Sequence, residues 1–423
     1  MPAYDADVSK RIFLHVGSPK TGTTYLQEVL WSHEKQLRKQ GILLPGKGIE
    51  DHFRACIDVR QDGHKVLDPE RVAGAWDRLV DQMSSWDGDS IVSHELFAPA
   101  TAEQAEQAVA KLGDAEVHVV VTARDLSRQI PAEWQEHIKH RSTLTFPEFV
   151  GAVRHQRPAA RWFWRVQDTA DVLDRWGHAL PRDQVHVITV PVAGSGMGEL
   201  WKRFASLVGV DDSDFDLATA RSNTSLRAEQ TELLRRLNAQ LGDRLPFPGT
   251  YPPVVKSFLA HRVLSGRAGT RFGLVGGDAD YAIQRSKEMV DQLQRLGVIV
   301  TGDLQELIPS DEPEPEISGD AQVSSEAVLE EAVESLIQVL NEYAQDRARV
   351  RVSRPGLPEG KQTFENVKAE RDQLLHDVQY RPIRHLLIGQ SMRRHWLWKL
   401  RTGYWRAVNV PFGHFRRSRD RTG

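Results

Sequence analysis

A chain of 423 residues, 40% hydrophobic and 27% charged, has the composition of a soluble globular protein and is long for a single domain. Its one cysteine, Cys56, excludes an intramolecular disulfide and a thiolate metal cluster and reads as an inert buried thiol, and no run of about 18 apolar residues is present to span a bilayer. The formal net charge of −3 selects no class of partner because it conceals a local asymmetry, and the opening Met-Pro-Ala-Tyr-Asp-Ala-Asp lacks the basic start and apolar core of a signal peptide, so the expectation is a cytoplasmic protein.

Residues 12–24 carry the first signal. Ile12, Phe13, Leu14 and Val16 predict a short buried strand despite the interposed His15. Gly17-Ser18-Pro19-Lys20-Thr21-Gly22 predicts a tight loop, and Thr23-Thr24-Tyr25-Leu26-Gln27 opens a helix. A strand feeding a glycine-containing turn at a helix N-terminus makes an anion cradle: backbone N–H groups converge and the helix dipole adds partial positive charge. A phosphate-binding loop is therefore expected. It departs from the usual ATP or GTP loop, whose lysine directly follows the second glycine. Gly17 and Gly22 have the right separation, but Thr23 follows Gly22 and the lysine stands inside the loop, at Lys20.

Tyr25, Leu26, Val29, Leu30 and Leu37 continue at helical spacing to a stop at Lys39-Gln40-Gly41, and residues 41–46 turn the chain out. A helix is expected over 51–60, with His52 at its mouth, and an amphipathic one over 68–86 from Val72, Trp76, Leu79, Val80 and Met83. Residues 89–93 predict a strand ending in His94-Glu95, followed by a helix over 101–112. The continuous apolar run at 117–122 suits a parallel strand covered on both faces. It ends in Ala123-Arg124-Asp125-Leu126-Ser127, which enters a helix through Trp134 and Ile138; a helix over 166–177 and a strand over 185–190 follow. This alternation predicts an α/β fold with a doubly wound, mainly parallel sheet, whose ligands sit beyond the carboxyl ends of the strands. Lys20, His94-Glu95 and Arg124 all follow strand ends, which points to one site.

Residues 198–309 are mainly helical in pattern, clearest over 226–241 and 281–296, and 302–307 closes an α/β domain spanning 10–309. An acidic linker at 310–322 and an amphipathic helix at 323–346 follow; residues 311–346 hold eleven acidic and no basic side chains. Leu329, Val333, Leu336, Leu340 and Tyr343 form the apolar stripe of that helix. A helical, basic and aromatic-rich tail at 361–423 inverts the balance: residues 381–423 carry eleven Lys or Arg against one Asp, with Trp396, Trp398, Tyr404, Trp405, Phe412 and Phe415 interleaved. Three readings of the tail stay open. It suits an anionic membrane surface, which would place the protein peripherally at the inner membrane face. It also suits a polyanion, with an anionic glycan expected ahead of any specific nucleic acid. The third is return onto the acidic segment, within one chain or in a homo-oligomer.

The strand, Pro-Lys-Thr-Gly-Thr-Thr and helix near the N-terminus, taken with Arg124, resemble the PAPS-dependent sulfotransferases of bacterial type over residues 10–309 (PAPS is 3′-phosphoadenosine-5′-phosphosulfate). The resemblance implies a P-loop-like phosphate site, PAPS as co-substrate and a small-molecule, carbohydrate or glycolipid acceptor. It implies that Ser18, Pro19, Lys20, Thr21, Gly22, Thr23 and Thr24 hold the 5′-phosphosulfate and that Arg124 grips the 3′-phosphate. The family serine eight residues after that arginine is Ala132 here, so Ser127 or a later polar residue takes its place or one contact is lost. Arg221-Ser222-Asn223-Thr224-Ser225 stands where a second 3′-phosphate loop would lie. Sulfuryl transfer to a hydroxyl needs a stabilising cation, for which Lys20 is the candidate, and a general base, for which Glu95, His94 and His52 are the candidates. No acidic cluster near the loop suggests a Mg²⁺ site, and no metal is expected. Two alternatives remain: a nucleotide-binding module without turnover, and an ATP-dependent small-molecule kinase, against which Thr23 in the lysine position argues.

Overall fold

The first strand, β1 (Arg11–Gly17), forms where both alternating sets of side chains are apolar enough to be covered, and Ile12 through Gly17 are all buried. It is the pivot of a six-stranded sheet. In chain order come α1 (Thr23–Ser32), α2 (Glu34–Lys39), β2 (Ile42–Leu43), α3 (Ile49–Val59), α4 (Pro69–Val72), α5 (Ala75–Ser84), β3 (Asp89–Ser93), α6 (Ala102–Ala110) and β4 (Glu116–Ala123). Then follow α7 (Leu126–Lys139), α8 (Phe146–Arg154), α9 (Arg161–Gln167), α10 (Thr169–Gly177), β5 (Val185–Thr189), α11 (Met197–Val208) and α12 (Ala228–Leu241). A π-wound segment (Pro252–Leu264), α13 (Gly277–Leu296), β6 (Ile299–Thr301) and α14 (Ser325–Val352) complete the chain as far as it is described.

The structure, a computed structural model, describes residues 10–63, 68–192, 195–217, 225–247, 249–309 and 323–352. The chain divides into two compact units, Met1–Asn341 and Glu342–Gly423. The expected linker at 310–322, the tail at 361–423 and residues 221–224 lie outside the described residues.

The strand order is β2-β3-β1-β4-β5-β6, and every pairing is parallel. Ile12 faces Ser90 of β3 on one side and Val117 of β4 on the other. The order reverses direction at β1 and β4, so the loops after these two strands open the crevice where α/β sheets bind ligands. Helices cover both faces. On one, Ile12, Leu14, Val16, Val119 and Val121 meet Trp76 of α5, Trp176 of α10 and Leu293 of α13. On the other, Phe13, Ile91, Val120 and Ile188 meet Leu26 and Leu30 of α1 with Trp201 and Phe204 of α11. A third cluster beyond the sheet joins Ile130, Trp134 and Ile138 of α7 to Phe149 of α8, Leu234 of α12 and Val255 of the π-wound segment.

Several expected elements are redrawn. The helix expected through residue 41 breaks at His33, which leaves helical geometry (φ −113°, ψ 21°). Its buried ring bonds the Val29 carbonyl through Nδ1 at 2.8 Å, accepts the Asp216 N–H at Nε2 at 3.0 Å, and stacks on Phe215. The turn expected at 41–46 contains the edge strand β2, pinned where Trp86 Nε1 donates to the Gly41 carbonyl at 3.0 Å. Residues 166–177 are not one helix: Asp168 ends α9 and caps α10, its carboxylate accepting the Asp171 N–H at 3.2 Å. The helix expected over 51–60 is present as α3, and residues 140–165 are largely helical in α8 and α9. The helix expected at 323–346 is present as α14; Arg267 holds it through Glu331 at 3.1 Å, while Leu329, Val333 and Leu336 of the predicted stripe are exposed. No helix among the described residues is long and apolar enough to cross a membrane.

Candidate active site

The loop after β1 owes its shape to a few fixed contacts. Gly17 has φ +146°, and a Cβ there would stand 2.9 Å from the Ala98 Cβ, so the position requires glycine. The Ser18 N–H donates to the Thr122 carbonyl at 3.1 Å. Thr21 Oγ1 donates to the Ser18 carbonyl at 2.5 Å and lies 2.5 Å from Thr122 Oγ1, which places its hydroxyl inside the loop as a brace. Beneath them the buried His15 ring lies between Ser93 Oγ (2.8 Å) and Thr122 Oγ1 (3.2 Å), tying the ends of β1, β3 and β4 together. Burial holds His15 down to about 4, so the ring is neutral at pH 7.

Gly22, at φ +89°, starts α1 without any side-chain cap. The first N–H groups of a helix have no partner within it, so Thr23 and Thr24 present donors backed by the helix dipole. Ser18 Oγ, also buried, has no hydrogen-bond partner among the described residues. Lys20 adopts the left-handed conformation (φ +64°), and its Nζ donates to Glu136 Oε2 of α7 at 2.5 Å. Pro19 presents its carbonyl to two buried amides: Gln129 Nε2 at 2.6 Å and Gln167 Nε2 at 3.1 Å. Arg124, leaving the end of β4, donates through Nη1 to the Lys20 carbonyl at 3.4 Å. The two stretches singled out in the sequence thus meet at one loop.

Ser127 stands close by, but its Oγ donates to Asp125 Oδ1 at 2.5 Å, and Asp125 is the N-cap of α7, accepting the Arg128 N–H at 3.0 Å. Asp125 also pairs with the Arg128 guanidinium, which anchors to the Pro191 carbonyl at 3.1 Å. Trp134 is a core side chain whose Nε1 donates to the Leu144 carbonyl at 2.9 Å against Phe146 and Phe272.

The three base candidates separate. Glu95 follows β3 on a short 3₁₀ turn, with about a quarter of its side chain exposed, and accepts Gln27 Nε2 at 3.0 Å. Burial pushes its carboxyl up, but His94, the Gln27 hydrogen bond and Lys20 outweigh that and hold it below its ordinary range. His94 caps the same turn, its Nδ1 accepting the Leu96 N–H at 3.1 Å; burial lowers its pKa. His52 is buried with both nitrogens engaged, Nε2 with the Pro45 carbonyl at 2.9 Å and Nδ1 with the Ser93 N–H at 3.2 Å, and burial takes it down to about 4. It ties α3 to the end of β3.

Further charged and amide groups gather at the loop. Glu136 receives Lys20, Lys256 Nζ at 2.8 Å, His140 Nε2 at 3.1 Å and Lys139 Nζ at 3.6 Å. Burial alone would raise its carboxyl; the His140 hydrogen bond and the three lysines depress it far below the carboxylate range. Glu133, one turn earlier and buried, accepts Gln167 Nε2 at 2.9 Å. Burial and the neighbouring Glu136 and Glu95 raise it to about 7 against the pull of Lys20 and Gln167. Gln129, Glu133 and Glu136 of α7 and His140 at its C-cap recur at three- and four-residue spacing just after Arg124, a stripe that marks one face. Lys256, on the π-wound segment, had no local signal. Among the described residues no group of three or more His, Cys, Asp or Glu is placed to hold a metal ion.

The raised Glu133 carboxyl has a sign that can be measured. Between its ordinary 4.5 and about 7 the unfolded chain releases the proton and the folded chain keeps it, so stability falls as pH rises through that window. Urea unfolding at pH 5 and pH 7.5 is expected to show wild type losing about 2 kcal/mol more than Glu133→Gln. Equal pH dependence in the two proteins would show that Glu133 titrates normally.

No protein-family model, no curated protein and no solved structure matches this chain.

Proposed function

We propose that this chain is a sulfotransferase that moves the sulfuryl group of PAPS to a hydroxyl acceptor. One observation carries the reading: a glycine-bounded loop with a lysine inside it and an uncapped helix behind it lies at the switch point of a parallel sheet, and Arg124 reaches that loop from the next strand. The donor's chemistry fits what is present. Ser18 Oγ is a buried hydroxyl without a partner, the first N–H groups of α1 have no side-chain cap, and Lys20 is a cation held against a carboxylate that keeps other cations when Lys20 leaves.

PAPS supplies an activated sulfuryl group with adenosine 3′,5′-bisphosphate as the leaving group. The loop residues bind and orient the phosphosulfate. Lys20 exchanges Glu136 for oxygens on which negative charge grows as the bridging bond breaks, where a fixed cation in a water-poor cleft is most effective. Glu95 takes the acceptor's proton; about a quarter of its side chain is exposed, and it is ionised at neutral pH. His94 is a positioning residue that fixes the turn carrying Glu95, and His52 braces the strand end behind it. Gln129 and Gln167 hold the Pro19 carbonyl and so the direction of the Lys20 side chain.

The role given to Arg124 separates this reading from a kinase. Wild type is expected to bind adenosine 3′,5′-bisphosphate at least tenfold more tightly than adenosine 5′-phosphate, and Arg124→Ala is expected to abolish that preference. A charge-assisted hydrogen bond of about 1.5–3 kcal/mol corresponds to roughly 10- to 150-fold in affinity. Equal binding of the two nucleotides by wild type would contradict the assignment.

A further inference from the structure

Glu136 is surrounded by more positive charge than it can neutralise. Lys20, Lys139 and Lys256 all lie within 4 Å of its carboxylate, His140 bonds it as well, and Lys256 Nζ lies 2.6 Å from His140 Nε2. Lys139 is 7% exposed at its side chain, Lys256 28% and Glu136 19%, so this is not a solvated surface pair. His261, on the same π-wound segment as Lys256, feels the same lysines. Burial and the two other lysines bring Lys139 down to about 8 in spite of Glu136. When Lys20 turns to a donor's oxygens, Lys139 and Lys256 share one carboxylate. An excess buried cation is costly without a counter-charge. Neither lysine is needed to shape the loop, which is braced by Thr21, Gln129 and Gln167.

We propose that Lys139 and Lys256 form a subsite for an anionic substituent of the acceptor, a carboxylate or an ester oxyanion on a sugar or small metabolite, and that Glu136 occupies it from within when no acceptor is bound. The inference rests on the donor reading above and adds the acceptor's class: an acidic hydroxyl compound. Glu136 acts as an internal competitor, so that a correctly charged acceptor is selected against neutral ones by what it displaces.

Titration of inorganic sulfate, and in a parallel arm acetate, into the full chain saturated with adenosine 3′,5′-bisphosphate tests it. Sulfate affinity is expected to fall at least tenfold in Lys139→Gln/Lys256→Gln while bisphosphate affinity stays within threefold. Glu136→Gln, which removes the competitor, is expected to tighten sulfate at least threefold. Preference for acetate over sulfate assigns a carboxylate, and the reverse an ester oxyanion. Sulfate binding that the double variant leaves unchanged, or that only Lys20→Ala removes, overturns the proposal. A double variant that loses bisphosphate as steeply as sulfate also overturns it, since the lysines would then serve the donor. A wild-type chain that takes up no bisphosphate is the separate failure of the donor reading and removes the acceptor subsite with it.

Discussion

Lys20→Ala is expected to lower the rate of sulfuryl transfer by at least about 10²- to 10³-fold, the scale set by removing one fixed donor from a charge-stabilising site. Nζ is the only charged atom the 17–22 loop offers, and it is held on a left-handed backbone whose neighbouring carbonyl is clamped by two buried amides. The fold should tolerate the change, because Glu136 keeps Lys256, Lys139 and His140. Thermal unfolding within a few degrees of wild type is therefore expected alongside the loss. Lys20→Arg is expected to recover little: a planar guanidinium cannot take the place of a compact ammonium ion on this turn. Transfer by Lys20→Ala within threefold of wild type would remove the lysine from the mechanism.

The second large effect is on Glu95. Glu95→Gln keeps the shape and a hydrogen-bonding partner for Gln27 but cannot accept a proton, and kcat is expected to fall about 10²- to 10⁴-fold. Bisphosphate affinity should stay within about threefold, because Glu95 follows β3 rather than lining the loop after β1. Its lowered pKa places the acid limb of the wild-type rate profile below the ordinary carboxylate range, so activity should not fall between pH 7 and pH 5 on account of this group. His94→Ala should act more weakly and through position, loosening the cap on the Leu96 N–H at a cost of about 1 kcal/mol. A Glu95→Gln protein with unchanged kcat would move the base elsewhere, with the buried Glu133, raised to about 7, as the next carboxyl to test.

The parallel strands were legible because burial on both faces leaves a continuous apolar run: Val119, Val120 and Val121 are all fully covered, and no period-two alternation is needed to see them. β2 and β6 were not legible, since two or three residues at a sheet edge give no pattern. That Arg124 meets the Lys20 loop, with Glu95 within electrostatic reach of Lys20, agrees with a single rule, that the residues following parallel strands share one end of the sheet, and needed only the strand ends. His52 marks the limit of that rule. A histidine at a helix mouth looks available in sequence, and only the Pro45 carbonyl and the Ser93 N–H reveal that both its nitrogens are spoken for. Glu133 and Glu136 were hidden for the opposite reason. Charged residues on a helix usually face water, and here that face is turned onto the loop because Gln129 and Gln167 bond Pro19 beneath it. Lys256 comes from 120 residues further along, a juxtaposition that no local spacing encodes.

Calorimetric titration of the full chain with adenosine 3′,5′-bisphosphate and, separately, with ATP–Mg²⁺ bears most directly on the donor. Tight binding of the bisphosphate, weakened by Lys20→Ala and by Arg124→Ala, with ATP–Mg²⁺ binding at least tenfold more weakly, is the expected result. Preference for ATP–Mg²⁺, or no binding of either nucleotide, would contradict a PAPS-dependent transferase.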